Sequence, residues 1–312
     1  MTPAPPRLAV VDLGSNSVRL FLCDAFGPGG PEGARVSTVT ALRRGAAADG
    51  TLADDAIARL DECLAAYAAR VAVFRPDRTV VTGTSAVRDA PDRARVAAVV
   101  EARLGAALTV LDGGQEAAVS FAGARLGAPD AGEITVVDIG GASTEIVRGH
   151  AAPEVAVSLQ LGAVRHTERH LHDDPPTPAQ VAALRDEARD LVAGALRDTG
   201  GPAPVVVGVA GTITSLAGIE IGRYDRALVH GHALSAATVE RITAELCAMP
   251  LEARRALPGL EPARAPVIAA GALIAATVLE VAGRDVMRVS ERDLLDGVAL
   301  AAADPSSGLF RS

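Results

Sequence analysis

Apolar residues along the chain fall into two matching series. Residues 8–18 read Leu-Ala-Val-Val-Asp-Leu-Gly-Ser-Asn-Ser-Val, and residues 134–144 read Ile-Thr-Val-Val-Asp-Ile-Gly-Gly-Ala-Ser-Thr. Each is an apolar run of strand length that ends in Val-Val-Asp-(Leu/Ile)-Gly and crosses a loop of small residues containing serine. Each then re-enters an apolar run, Val18–Cys23 in the first copy and Glu145–Val147 in the second. This pattern predicts a hairpin with a polar tip, twice. A further strand-like run follows each copy, Ala34–Ala41 and Glu154–Leu159.

Helical spacing comes next in both halves. Over Leu52–Phe74 the apolar residues Ile57, Leu60, Leu64, Tyr67, Val71 and Phe74 recur every three or four positions, the stripe of a helix that buries one face. Strand Arg78–Thr82, helix Asp92–Leu104, strand Ala107–Leu111 and helix Gln115–Leu126 complete the first half, and Gly127–Gly132 reads as the boundary. The second half continues with helices at Ala163–His170 and Pro178–Arg197, strand Val205–Val209 and an apolar segment Thr212–Ile219. A helical region over Ser235–Ala282, interrupted near Pro250 and Pro258, leads to strand Val286–Val289. A last helix is expected from Ser290, where Ser290 and Asp293 resemble a capping box with Asp in place of Glu. The tail Asp304–Ser312 is expected to be loose. The predicted domains are therefore 1–127 and 128–303, followed by the 304–312 tail, in an α/β chain whose two halves share one architecture.

Composition narrows the chemistry. The chain has 312 residues, enough for two cores, with 49% hydrophobic and 22% charged residues. All 30 basic residues are arginine, which excludes a Walker A lysine, a kinase strand lysine and any Schiff base. A phosphate must be held by arginine, backbone amides or metal. A net charge of -8 and 2% aromatics exclude a broad basic nucleic-acid face and base stacking, so no nucleic-acid partner is expected.

The N-terminal residues show no signal-peptide pattern. Thr199–Ile219 is long enough to span a membrane but holds five glycines and two prolines, and Ala265–Leu279 is too short. Both are read as buried soluble structure with no membrane partner. Cys23, Cys63 and Cys247 are far apart and lack metal-ligand spacing, which suits a reducing cytoplasm.

Candidate chemistry gathers at the hairpin tips. An aspartate at a strand end before Gly-Ser-Asn-Ser can hold a hydrated divalent cation while loop amides point at phosphate oxygens. Asp12 and Asp138 are the two candidates, although either alone could simply cap a turn. Gly208–Thr214 follows a strand and opens a helix, offering a third anion site or merely a tight turn. Glu116, in a first helical turn, could accept a proton from water, or could serve only the helix dipole. Arg88 could fork onto a phosphate, or pair with Asp89 or Asp92. His166, His170, His172, Asp173, Asp174, His230 and His232 invite a zinc reading, but their spacings fit no standard ligand set, so the histidines are expected at the surface or in supporting roles.

Three strands, helix, strand, helix, strand, helix, occurring twice, resembles the duplicated actin-like (RNase H-like, ASKHA superfamily) fold, in which two domains face each other across a cleft. More specifically, the chain resembles the Ppx/GppA phosphatases, that is, exopolyphosphatases and guanosine pentaphosphate phosphohydrolases. The resemblance rests on Asp12–Ser17, Thr84–Arg88, Gly113–Ala117, Val137–Glu145, Gly208–Thr214 and Ser290–Gly297, all in the family's order.

That resemblance implies Glu116 as catalytic base, supported by Arg88, and Asp12, Asp138 and Glu145 as carboxylates for magnesium, with manganese as an alternative. It implies phosphate contacts from Gly14, Ser15, Asn16, Ser17, Ser85, Gly140, Gly141, Ser143, Thr144, Gly211 and Thr212. It also implies a cytoplasmic homodimer. Longer members carry further C-terminal domains, and this chain reads as the short two-domain form.

Three positions depart from the family pattern. Ala142 stands for a third glycine, Gln115 for a first glutamate, and Leu295 for an arginine before Asp-Gly. If the backbone at 142 needs positive φ, a methyl group there would narrow the loop. The expected activity is hydrolysis of the terminal phosphoanhydride of inorganic polyphosphate. The alternatives are a guanosine pentaphosphate 5'-phosphohydrolase, a non-catalytic polyphosphate or nucleotide sensor and, more distantly, a sugar kinase or actin-like ATPase.

Overall fold

Each copy of the repeated motif opens its own sheet. The computed structural model describes residues 5–27, 29–47, 49–128, 132–304 and 306–310. Residues 129–131 of the expected boundary, and residues 305, 311 and 312 of the expected tail, lie outside them.

The first half contains β1 (Leu8–Leu13), β2 (Ser17–Gly27), β3 (Gly30–Val39), α1 (Asp54–Phe74), β4 (Arg78–Gly83), α2 (Ser85–Arg88), α3 (Arg93–Leu104), β5 (Leu108–Val110) and α4 (Gly113–Leu126). Its sheet runs β3-β2-β1-β4-β5, antiparallel in the hairpin strands and parallel from β1 through β4 to β5. The second half contains β6 (Ile134–Ile139), β7 (Thr144–Gly149), β8 (Pro153–Leu159), α5 (Ala163–His170), α6 (Pro178–Asp198), β9 (Val205–Val209), α7 (Ala210–Ile221), α8 (Arg226–Val229), β10 (Ala233–Ser235), α9 (Ala236–Ala248), α10 (Leu251–Arg255), a 3-10 turn (Pro262–Arg264), α11 (Ala265–Ala282), β11 (Val286–Val289) and α12 (Leu294–Ala303). Its sheet runs β10-β11-β9-β6-β7-β8, the same arrangement with one extra edge strand. Two equivalent sheets confirm the duplicated α/β reading.

In compactness the chain divides into residues 1–119 with 294–312, and residues 120–293. Thus α12, assigned from sequence to the second domain, belongs with the first sheet. The reason is packing. Leu294, Leu295, Val298 and Ala299 are buried with Leu8, Val10, Phe21 and Val80. A Cβ on Gly297 would stand 1.8 Å from the Val119 carbonyl oxygen, so only glycine allows this approach. The motif Asp296-Gly297 is structural here, because buried Asp296 accepts a 2.6 Å bond from Arg35 Nη2, and Arg35 lies 3.8 Å over the Phe21 ring. Leu295, one of the three departures, is a core residue.

Two expectations at the C-terminus are corrected. The last helix begins at Leu294, not Ser290. Ser290 Oγ accepts from the Arg292 amide within a local turn and donates to the Arg292 carbonyl, so it caps no helix. The described part of the tail, residues 306–310, is packed, since Phe310 is buried in the first unit and its carbonyl accepts from Arg78.

Elsewhere the amphipathic patterns act as expected. On α1, Leu60, Leu64 and Tyr67 are buried, each apolar side chain contributing about 1.5–3 kcal/mol, and the Tyr67 hydroxyl donates to the Val18 carbonyl at 2.9 Å. The apolar helix over Pro262–Ala282 is longer than its sequence suggested and could cross a membrane by length and composition alone. It packs instead against α5, α6, α7 and α9 as the core of the second unit.

Candidate active site

In the first unit, the β1–β2 tip is a tight turn in which the Gly14 amide donates to the Ser17 carbonyl at 3.1 Å. Residues 40–43 close around it. The Thr40 and Ala41 amides donate to the Asn16 carbonyl and the Arg43 amide donates to the Ser15 carbonyl, at 2.8–3.1 Å. The buried Ser15 hydroxyl lies 3.5 Å from that of Ser85, at the start of α2. Gly14, Ser15, Asn16, Ser17 and Ser85 are therefore grouped at one strand end.

Three buried polar atoms at or beside this loop have no hydrogen-bond partner among the described residues: Ser17 Oγ, Thr40 Oγ1 and Arg43 Nη1. An unsatisfied buried donor costs about 1–3 kcal/mol, and such atoms call for an explanation. An oxyanion would satisfy them. Thr40 and Arg43 are residues that motif reading missed, because they lie after β3 and share no pattern with the loop they hold.

Buried Asp12 is bonded within its own sheet. Its cross-strand neighbour Arg19 donates to Oδ2 from Nη2 at 2.8 Å and from Nε at 3.2 Å, and Thr82 Oγ1 lies 3.4 Å from Oδ1.

The candidate base and its arginine are brought together. Arg88 Nη1 donates to Glu116 Oε2 at 2.8 Å and to the Leu111 carbonyl at 2.9 Å. Glu116 is buried in the first turn of α4. Arg88 does reach Asp89, at 3.9 Å, but Asp92 instead accepts from the Leu52 amide and from Arg95. Gln115 has a clear role: its amide donates to Asp112 Oδ1 at 2.8 Å and its Oε1 accepts from the Asp112 amide at 3.0 Å. This reciprocal pair is a capping box that fixes the helix start, and with it Glu116.

In the second unit, the β6–β7 tip repeats the turn, with the Gly140 amide donating to the Ser143 carbonyl at 3.0 Å. Here the cross-strand partner of Asp138 is Glu145, where the first hairpin has Arg19. Both carboxylates are buried. Asp138 Oδ2 accepts from Ser120 Oγ at 2.7 Å and Glu145 Oε1 from Ser158 Oγ at 2.8 Å. Two buried carboxylates with hydroxyl neighbours form an all-oxygen set suited to a hard divalent cation.

Ala142 has no positive φ, so its methyl strains nothing and the expected narrowing is corrected. The start of α5 clamps this loop, as Ala163, Val164 and Arg165 donate amides to the Gly140 and Gly141 carbonyls and Arg165 Nε donates to the Ala142 carbonyl. The Thr144 hydroxyl is held within the fold, since Oγ1 donates to the Leu161 carbonyl at 2.5 Å.

The third loop opens α7 through Ala210, whose φ of 68° is left-handed. A Cβ on Gly211 would lie 1.9 Å from Arg264 Nη1, so a guanidinium sits directly on this helix N-terminus. The Thr212 methyl packs on Gly271 of α11. Arg264 was not singled out from sequence, because nothing local links it to the loop.

The histidines are also not uniformly superficial. His166 is fully buried, His170 bonds Glu187, His232 bonds Glu220, and His230 Nδ1 accepts from the Glu291 amide. Asp173 accepts from Gln180, and Asp174 from the Leu251 amide and Arg254.

A family model for the Ppx/GppA phosphatases matches residues 34–304. The chain belongs to the Ppx/GppA phosphatase family. It is 38% identical over 318 aligned residues to exopolyphosphatase 2 of Mycobacterium tuberculosis, covering 95% of this chain and 98% of that protein. It is 28% identical to a guanosine-5'-triphosphate,3'-diphosphate pyrophosphatase of Vibrio atlanticus, covering 97% of this chain and 60% of that protein. Among solved structures, an exopolyphosphatase-like protein superposes with a TM-score of 0.89 at 31% identity, covering 95% of this chain and 98% of the other. The duplicated sheets are those of the actin-like Ppx/GppA fold, and the chain is a phosphoanhydride hydrolase of that family.

Proposed function

We propose that this Ppx/GppA phosphatase removes the terminal phosphate of inorganic polyphosphate as orthophosphate, using magnesium, or manganese in its place. The observation that carries this reading is the Arg88–Glu116 pair, a buried carboxylate fixed by a guanidinium and by a capped helix start. The similarity to exopolyphosphatase 2 supports the substrate.

Glu116 takes the proton of the water that attacks the terminal phosphorus. Arg88 orients Glu116 and offers its remaining donors to phosphate oxygens. Ser15, Asn16, Ser17 and Ser85, with Arg43, bind phosphate oxygens in the first unit. In the second, Gly140, Gly141 and Ser143 do so through the loop, and Gly211 and Thr212 through amides at the α7 N-terminus. Asp138 and Glu145 hold the divalent cation, which when bound neutralises charge on the phosphoryl oxygens. Asp12, paired with Arg19, is the carboxylate that the first unit would offer to a cation.

The Vibrio atlanticus relative keeps guanosine pentaphosphate as the second substrate reading. Comparing kcat/KM for orthophosphate release from short polyphosphate, long polyphosphate and guanosine pentaphosphate separates them. Preference for either polyphosphate supports the proposal, and preference for the nucleotide replaces it. A reducing cytoplasm fits the three unpaired cysteines and is checked by fractionation, and the homodimer that the family resemblance implies is checked by sedimentation.

A further inference from the structure

The geometry points to a second metal site, of different chemistry, formed by His166 and His170 on α5 and Glu187 on α6. Their ligand atoms all lie within 4.8 Å of one another. His166 Nε2 is 3.6 Å from Glu187 Oε1, and His170 Nε2 is 2.6 Å from Glu187 Oε2. The two histidines are one helical turn apart on one face, the spacing that lets two imidazoles converge on one ion.

His166 carries the argument. It is fully buried, yet its Nε2 has no hydrogen-bond partner among the described residues. Its other nitrogen, Nδ1, lies 3.2 Å from the Gly162 carbonyl oxygen and 3.3 Å from the Gly162 amide. The amide donates to Nδ1 in one tautomer; in the other, Nδ1 donates to the carbonyl and Nε2 is left as a bare lone pair 3.6 Å from Glu187 Oε1, the arrangement usual behind a metal-bound histidine.

Two imidazole nitrogens and a carboxylate select a borderline ion such as Zn2+ over Mg2+, and leave a fourth position for water. A tetrahedral ion about 2.0–2.1 Å from each ligand separates ligand atoms by about 3.3 Å, so the His170–Glu187 contact opens slightly and the His166–Glu187 contact closes slightly. Arg169, half-exposed, now pairs with Glu187 and competes with the cation.

The site lies one turn along α5 from the amides that clamp Gly140 and Gly141. A bound ion would therefore tie the helix holding the second phosphate loop to α6.

The test is metal binding to the purified full-length chain after chelation, in excess magnesium. Zn2+ affinity is read by competition with a chromogenic chelator, and geometry by the visible absorption of Co2+. One Zn2+ per chain and a four-coordinate Co2+ spectrum are expected in the wild type. His170→Gln and Glu187→Gln, at partly exposed positions, should each weaken Zn2+ at least roughly tenfold while circular dichroism is unchanged. Arg169→Gln should tighten it. Asp138→Asn, which alters the proposed magnesium pair, should leave it unaffected. No Zn2+ binding, equal affinity in the His170 and Glu187 variants, or loss of the Co2+ signal in Asp138→Asn instead would each overturn the assignment.

Discussion

Asp138 and Glu145 stand directly opposite each other across β6 and β7, at the register position that Asp12 and Arg19 occupy across β1 and β2. One fold element, used twice, thus carries a compensated charge pair in one copy and two carboxylates in the other. Like charges directly opposite in a sheet destabilise it unless a cation joins them. In the proposed reading the second hairpin holds the cation, while the first places an arginine opposite its carboxylate.

This asymmetry predicts opposite responses to neutralisation. Glu145→Gln should raise the stability of the metal-free protein by roughly 0.5–1 kcal/mol and raise the magnesium concentration needed for half-maximal activity. Thermal melts with and without chelator, and a magnesium titration of phosphate release, read both. A variant that melts lower without metal and keeps its magnesium dependence would contradict the pairing.

Arg19→Met should have the reverse effect on stability. It removes the arginine paired with buried Asp12, and the loss should be about 3 kcal/mol, the low end for a broken buried pair because Arg19 is partly solvated. Urea denaturation measures it.

Gln115→Ala should cost about 1 kcal/mol through the lost helix cap and lower kcat several-fold by loosening Glu116, whereas Gln115→Glu should preserve both. Equal activity in wild type and Gln115→Ala would show that the capping box does not position the base.

Ala142→Gly should leave kcat/KM within about twofold, because the native backbone there is not left-handed, and should lower stability by about 0.4–1 kcal/mol through unfolded-chain entropy. A large gain in activity would mean that the methyl does obstruct phosphate.

Much of this was legible in the sequence. The repeat at Asp12 and Asp138 fixed the hairpins because an apolar run ending in Asp-Gly has few alternatives, and the stripe on α1 defined its helix. Even the Arg19/Glu145 contrast is visible once the copies are aligned. What stayed hidden depends on tertiary contact. The three- and four-residue elements α2, α8 and β10 are too short for any periodicity. The docking of α12 through Gly297, the arrival of Arg264 at Gly211 and the burial of His166 beside Glu187 all join residues from distant elements. Spacing along the chain carries no trace of such meetings.

The most direct test of the account is Glu116→Gln, assayed for both polyphosphate binding and orthophosphate release at saturating magnesium. Loss of the base should reduce release by about 10²–10⁴-fold while the dissociation constant for polyphosphate changes only a few-fold. Release that survives the substitution at near wild-type rate would show that Glu116 is not the proton acceptor and that the Arg88–Glu116 pair is only structural.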